Sequence, residues 1–582
     1  MHHETIDAVS RRRIVILFIA TISAICTFPL LTSSIPISHD IPFHLARIQS
    51  IADGLRAGVF PVRLFDAQAF GFGYPTGMCY PDLLLYLPSL LVALGCGLWF
   101  AYTLFVLCVN VATAVIAYRA FSAVFRSRRI GLACCTLWTL SPYRLCDILL
   151  RASVGEYLSL MFVPLLVLGL WRLFLDERSA PGSGWLTLAI GATGIVLSHV
   201  LSVVLFMPPC LIALVPLILW RRKNGWLLGI AKAAGLSILL CVGFLLPFLS
   251  YYTGHDLGVK HFSNGCYGDS LEPAQLLEAF LPMKGWSGSI TSALDNEMPM
   301  GAGWCLMLGL PAAALVLFVP FVRNEEYDRH RRWIALFSIG TIVTLFMTTF
   351  RFPWNYDGPV FGVIIQALSV IQFPWRLIGV ASLMLVLILG SVASCTKPRA
   401  RMVIAASLAL CILECAVATS TFLANAHRFP LKELLASDHN IGNGEYLPTE
   451  ITSDEVKTWL DGIPAPLERG TSREFETINP QRWRATVAND TDAEKVVRLP
   501  IQWHHQLVLQ GDNPSDASIV YDGGFAGIKL APHTSGTFEI AFVEPVAWRA
   551  VEVVSGAAGV GLVGVVLYTE HAKRRTAQKS DA

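Results

Sequence analysis

Long apolar runs alternate with short polar gaps along most of the chain, and about twelve runs approach the roughly 20 residues that a helix needs to cross a bilayer core. They centre on 14–36, 99–119, 130–147, 157–175, 185–200, 202–220, 227–250, 302–322, 332–349, 377–395, 402–422 and 548–568. This pattern predicts an α-helical polytopic membrane protein. The first run, behind Arg11, Arg12 and Arg13, is too long and lacks the small-residue cleavage site of a removable signal, so it reads as an anchor. Basic clusters fall in alternate gaps: Arg11–Arg13, Arg126 with Arg128 and Arg129, Arg221 to Lys223, Arg329 with Arg331 and Arg332, Lys397 with Arg399 and Arg401, and Lys573 to Arg575. Because Lys and Arg are retained on the cytoplasmic side, both termini are expected inside. Four long segments, 37–98, 251–301, 350–376 and 423–547, are expected outside.

Near residue 423 the period changes. Short runs such as "RWRATVA", "QLVLQ", "ASIVY" and "TFEIAFV" alternate apolar and polar positions between the turn signals "GDNPSD" and "YDGGFAG". The predicted organisation is therefore a transmembrane domain over 1–422, an extracytoplasmic β-rich domain over 423–547, and a last helix with a cytoplasmic tail over 548–582. In the first outer segment the run Leu83 to Leu94 is too short to span, and it predicts a helix lying at the membrane surface. Ahead of it, His44, Arg47 and Ile51 fall on one helical face at i, i+3 and i+7.

Composition narrows the function classes. Hydrophobic residues make up 54% of the chain and charged residues 15%, against about 25% charged in soluble domains. A net charge of +2 offers no concentrated basic face for nucleic acid. Most of the 14 cysteines fall inside predicted spans and read as small packing residues, and the last outer segment has none.

Charged residues at a membrane boundary are costly unless paired or used. His39, Asp40 and His44 in "SHDIPFHLAR" form one group on the outer side. Arg144, Asp147, Arg151 and Glu156 in "SPYRLCDILLRASVGEY" form a second, His199 in "LSHVLS" a third and Arg376 in "IQFPWRL" a fourth. A carboxylate beside basic residues suits chemistry on a lipid-linked phosphate: the carboxylate takes a proton from an attacking hydroxyl, and arginine forks hold phosphate oxygens. Each residue also has a plainer reading. Asp40 can be a helix N-cap before Pro42, Glu156 can pair with Arg151 or Arg144, and His199 can sit satisfied in a tight turn. Arg376 can be an interfacial anchor beside Trp375. His39, Asp40 and His44 can bind zinc together, although no fourth ligand or open position is identified. In the β-rich region, Trp483, Trp503, His504 and His505 are either sugar-stacking residues or ordinary core and surface residues, the latter being favoured.

The series "HDIPFHLARI", "GFGYP", "YPDLLLYLPSLLVALG", "SPYRL", "RASVGE", "QFPWRL" and "GEYLP" resembles a family of large bacterial membrane proteins labelled as related to 6-pyruvoyl-tetrahydropterin synthase. More broadly it is similar to the GT-C superfamily of polyprenyl-phosphate-sugar glycosyltransferases. The residues do not support pterin chemistry, because a twelve-helix chain offers no scaffold for a compact three-histidine zinc site. The resemblance implies a GT-C-like fold and a bacterial plasma-membrane enzyme whose active face is extracytoplasmic. It also implies transfer of a sugar from a polyprenyl-phosphate donor to an extracytoplasmic acceptor, with membrane lipids as further partners. Asp40 and Glu156 then become catalytic candidates, and His39, His44, Arg151, His199 and Arg376 substrate-binding ones. The chain departs from the superfamily pattern at Asp40, which is flanked by His39 and Ile41 where many members carry an acidic pair. No metal ligand and no definite cofactor are assigned, and a divalent metal is left open. A transporter or lipid flippase, or a non-catalytic envelope assembly protein, is the alternative.

Overall fold

The computed structural model describes the chain apart from residues 1, 33–34, 37, 221–223, 262–265, 278–300, 320–324, 396–398, 426–427, 437, 443, 452–466, 468, 512–516 and 581–582. The basic residues Arg221 to Lys223 and Lys397, parts of the predicted outer segment 251–301, and most of "GDNPSD" thus lie outside the described residues.

Among the described residues, eight helices are long and apolar enough to cross a membrane: Arg12–Leu30, Leu98–Val124, Val154–Phe174, Val200–Leu219, Trp226–Gly254, Pro374–Cys395, Met402–Ala424 and Val546–Tyr568. The other four predicted runs form different helices. The run 130–147 breaks at Ser141 and Pro142 into Arg128–Thr139 and Pro142–Leu149, because proline cannot donate to the preceding turn but suits the start of a new one. The run 185–200 shortens to Trp185–Val196, and 302–322 divides into Trp304–Met307 and Gly309–Phe318. The run 332–349 lies in Glu325–Met347, whose opening turns carry acidic and basic residues.

The chain packs as two compact units. The first comprises Met1–Ile48, Leu84–Gly229 and Lys260–Gly442. Its core gathers Phe121, Cys134, Trp138, Tyr143, Leu160 and the stretch Leu385–Leu389. Close helix packing depends on small residues: a Cβ on Gly194, in Trp185–Val196, would sit 2.2 Å from the Phe162 ring of Val154–Phe174. The short helix Tyr86–Ala93 turns Leu87 and Leu90 outward, and Leu94 just beyond it is exposed as well.

The second unit comprises Gln49–Leu83, Ile230–Val259 and Asn443–Ala582. Its two antiparallel sheets enclose one core. One sheet runs in the order Thr471–Asn479, Arg482–Asn489, Thr534–Phe542, Leu507–Gly511; the other runs Lys495–Gln502, Phe525–Leu530, Ala517–Asp522. The alternation in "RWRATVA" buries Trp483, Ala485 and Val487 and leaves Arg482, Arg484 and Thr486 outside. At "YDGG", Gly523 and Gly524 both adopt positive φ and close the hairpin in which Asp522 faces Phe525.

Candidate active site

Asp40 starts the helix Ile41–Arg56: its main-chain carbonyl accepts the His44 N–H at 3.0 Å. Its carboxylate, however, accepts no hydrogen bond from any described residue, so the side chain does not serve as the cap. A short stretch of main-chain pairing fixes its location. The N–H groups of His39 and Asp40 donate to the carbonyls of Leu150 and Arg151 at 3.0 and 2.8 Å. The proline break at Ser141 and Pro142 is what brings residues 150 and 151 to this edge.

Arg151 is the hub. Its Nη1 donates to Asp147 Oδ1 and, at 2.9 Å, to Glu156 Oε2, and its guanidinium lies 4.2 Å over the Trp375 ring. Glu156, at the start of Val154–Phe174, is fully engaged: Tyr143 Oη donates to its Oε1 at 2.5 Å and Arg376 Nε lies 3.5 Å from Oε2. Arg376 in turn spends Nη1 on the Ile371 carbonyl at 2.9 Å and on Gln372 Oε1 at 3.1 Å. The groups of "SPYRLCDILLRASVGEY" and "IQFPWRL" are thus a single cluster. Arg144 leaves it. Expected with the outer-face charges, it turns inward instead, to the Thr139 carbonyl, Asn110 and Thr113, and ties its helix to Leu98–Val124.

The histidines complete the arrangement. Arg47 Nη1 donates to His44 Nδ1 at 2.9 Å. Burial, with the Arg47 charge next to the ring and His199 beyond, holds His44 well below the ordinary histidine pKa, as a neutral ring. His199 stands at the end of a short chain of hydroxyl groups. Ser159 Oγ is 2.7 Å from the Glu156 carbonyl, which can only accept, so Ser159 donates there. The Ser159 and Ser202 hydroxyls lie 2.7 Å apart, and His199 Nδ1 is 2.9 Å from Ser202 Oγ.

All seven sequence-derived candidates stand within electrostatic reach of this cluster. Asp40 experiences Arg151, His39, Arg376 and Glu156, while His199 experiences Arg376, Glu156, Arg151 and Arg47. Burial raises the Asp40 carboxyl above the usual carboxylate value. Arg151, His39 and Arg376 pull against that rise, and Glu156 adds to it. Within this cluster, Asp147 Oδ2 and Arg376 Nε are buried and without a hydrogen bond among the described residues. Among the described residues no group of three or more His, Cys, Asp or Glu is placed to hold a metal. Sequence reasoning does not select Tyr143, Arg47 or Gln372. Arg47 is signalled only by its shared face with His44, and Gln372 only by its place in "IQFPWRL".

The sheet residues resolve differently. Trp483 and His504 are core residues. His504 is held between Tyr251 Oη at 2.9 Å on Nδ1 and the Gly73 carbonyl at 2.9 Å on Nε2. Burial pushes its pKa down to about 3.

No family model matches the chain. It is 26% identical over 359 residues to a protein of Lactococcus lactis subsp. cremoris (strain MG1363) described as an uncharacterized protein. The match takes in 59% of this chain and 54% of that protein, so the chain spans about half the length of that relative.

Proposed function

We propose that the chain is an integral membrane glycosyltransferase of GT-C type, with about twelve spans and both termini cytoplasmic. It moves a sugar from a polyprenyl-phosphate carrier to an acceptor on the outer side of a bacterial plasma membrane. The observation that carries this reading is the carboxylate of Asp40, which accepts no hydrogen bond from any described residue, within reach of two guanidinium groups, Arg151 and Arg376. In the proposed reaction the acceptor hydroxyl oxygen attacks the anomeric carbon and Asp40 takes its proton. The bond from that carbon to the phosphate oxygen breaks with inversion. Arg376, steadied by Glu156, meets the charge that develops on the departing lipid phosphate. Glu156 holds the arginines rather than touching the reacting atoms, since both its oxygens are already engaged.

The test places Asp40→Asn in a strain lacking the native gene, at matched protein level, and profiles envelope glycans and glycolipids. A fall of about 10²–10⁴-fold in one glycosylated species, with its unmodified precursor accumulating, is the expected result. Restoration of the wild-type profile by the asparagine variant would end the mechanism.

A further inference from the structure

The backbone just ahead of Arg376 adopts a conformation that its residues do not favour. Gln372 has φ 64° and ψ −56°, and Phe373 N–H donates to the Ile371 carbonyl at 2.7 Å. This is a γ-turn of the rarer, more strained hand, centred on a residue with a Cβ. Strain of this kind persists where the surroundings enforce it, and it clusters at working sites. Here the turn delivers two acceptors to one atom. The Ile371 carbonyl and Gln372 Oε1 lie 2.9 and 3.1 Å from Arg376 Nη1. The opposite edge of the guanidinium, Nε with Nη2, makes no hydrogen bond to any described residue, and Nε is buried with only the ion-pair contact to Glu156 at 3.5 Å. An Nε and Nη2 edge is one of the geometries by which arginine grips two oxygens of one phosphate.

We infer that Gln372 is a positioning residue: the strained γ-turn occupies Nη1 so that Arg376 presents its Nε and Nη2 edge to a phosphate oxyanion. This rests on the reading of Arg376 as the phosphate contact. It adds which edge binds and what holds that edge in place. A glycine at 372 would adopt the same φ without strain but lacks the amide oxygen.

The experiment titrates the full-length, detergent-solubilised chain with undecaprenyl phosphate and, separately, with inorganic phosphate. Tryptophan fluorescence reports binding and a thermal scan reports Tm. For Gln372→Gly the expected result is a Kd raised about tenfold with Tm unchanged or higher by roughly 1–2 °C. In an Arg376→Lys background, which has no such edge, the same change should alter Kd less than about twofold. The inference is overturned if Tm falls together with affinity, or if the full tenfold loss persists in the Arg376→Lys background, where a single ammonium replaces the fork. Binding of inorganic phosphate without the lipid would refute the lipid-carrier reading while leaving the edge assignment supported by the same cycle. Binding of neither would overturn both.

Discussion

Two arginine clusters in this protein start from the same ingredients and finish differently. In the second unit, Arg63 donates from Nε to Glu544 at 3.1 Å, from Nη2 to Glu552 and from Nη1 to the Gly77 carbonyl at 3.4 Å. Arg549 closes the other side, reaching Glu544 Oε2 at 3.1 Å, Glu552 Oε2 at 3.4 Å and the Phe60 carbonyl at 2.8 Å. Both glutamates there face two arginines, although Glu544 Oε2 has only its ion pair to Arg549 and no hydrogen bond among the described residues. In the first unit, Arg151 and Glu156 are as tightly held, yet Asp40, Asp147 Oδ2 and the far edge of Arg376 are left over. Buried charge that is not fully paired is costly. Under the proposed function, the cluster that holds Asp40 is the one that takes the ligand.

The largest expected effect tests the closed cluster. Arg63→Ala should destabilise by about 3–5 kcal/mol, because it leaves two glutamates buried without their main counter-charge, while transfer per folded molecule stays unchanged. Thermal unfolding and activity in the same preparation decide it, and a specific activity loss would show that the contrast is misdrawn. Next is Arg376→Lys, which keeps the charge and removes the fork. It should weaken lipid-phosphate binding roughly 10- to 100-fold with little change in Tm, and undecaprenyl phosphate titration reads both. Smaller again is Tyr143→Phe, which removes one hydrogen bond to a carboxylate that Arg151 still holds. A loss of about 1.5 kcal/mol in stability is expected, and an unchanged unfolding midpoint would mean the bond contributes nothing.

The smallest effect is the pH profile. Burial raises Asp40 above the ordinary value of 3.8, and the base must be ionised to work. The acidic limb of transfer activity should therefore have its midpoint above that value and disappear in Asp40→Asn. The sign for stability is opposite. A raised folded-state pKa contributes stability that is complete below the ordinary value and fades as pH rises through the raised one, so the working form of the site is the less stable form. A limb at or below 3.8 would count against Asp40 as the base.

Much of this can be read along the chain. Hydropathy is a local property, so the long apolar helices and the change of period at the sheets are visible in it. All four strand-like runs from "RWRATVA" to "TFEIAFV" fall on observed strands. Three further strands, Thr471–Asn479, Lys495–Gln502 and Phe525–Leu530, do not stand out in the sequence. Two of them, "KVVRLPIQ" and "FAGIKL", are buried almost throughout and lack the alternation that marks a half-exposed strand.

Charge is visible too, but its partners are not. Arg144 and Arg151 stand seven residues apart on the same stretch, and nothing local separates the one that turns to Asn110 from the one that joins Glu156. That choice depends on where Ser141 and Pro142 break the helix and on what packs against each piece. The left-handed φ of Gln372 is likewise invisible in a residue that rarely adopts it. It exists because the surrounding packing supports it, and packing is a sum over contacts distant in the chain. The amino-acid order thus establishes which segments are apolar, which alternate and which charges are available. Only the folded arrangement decides which of those charges meet neighbours, as Arg151 meets Glu156, and which, like the Asp40 carboxylate, accept no hydrogen bond from any described residue.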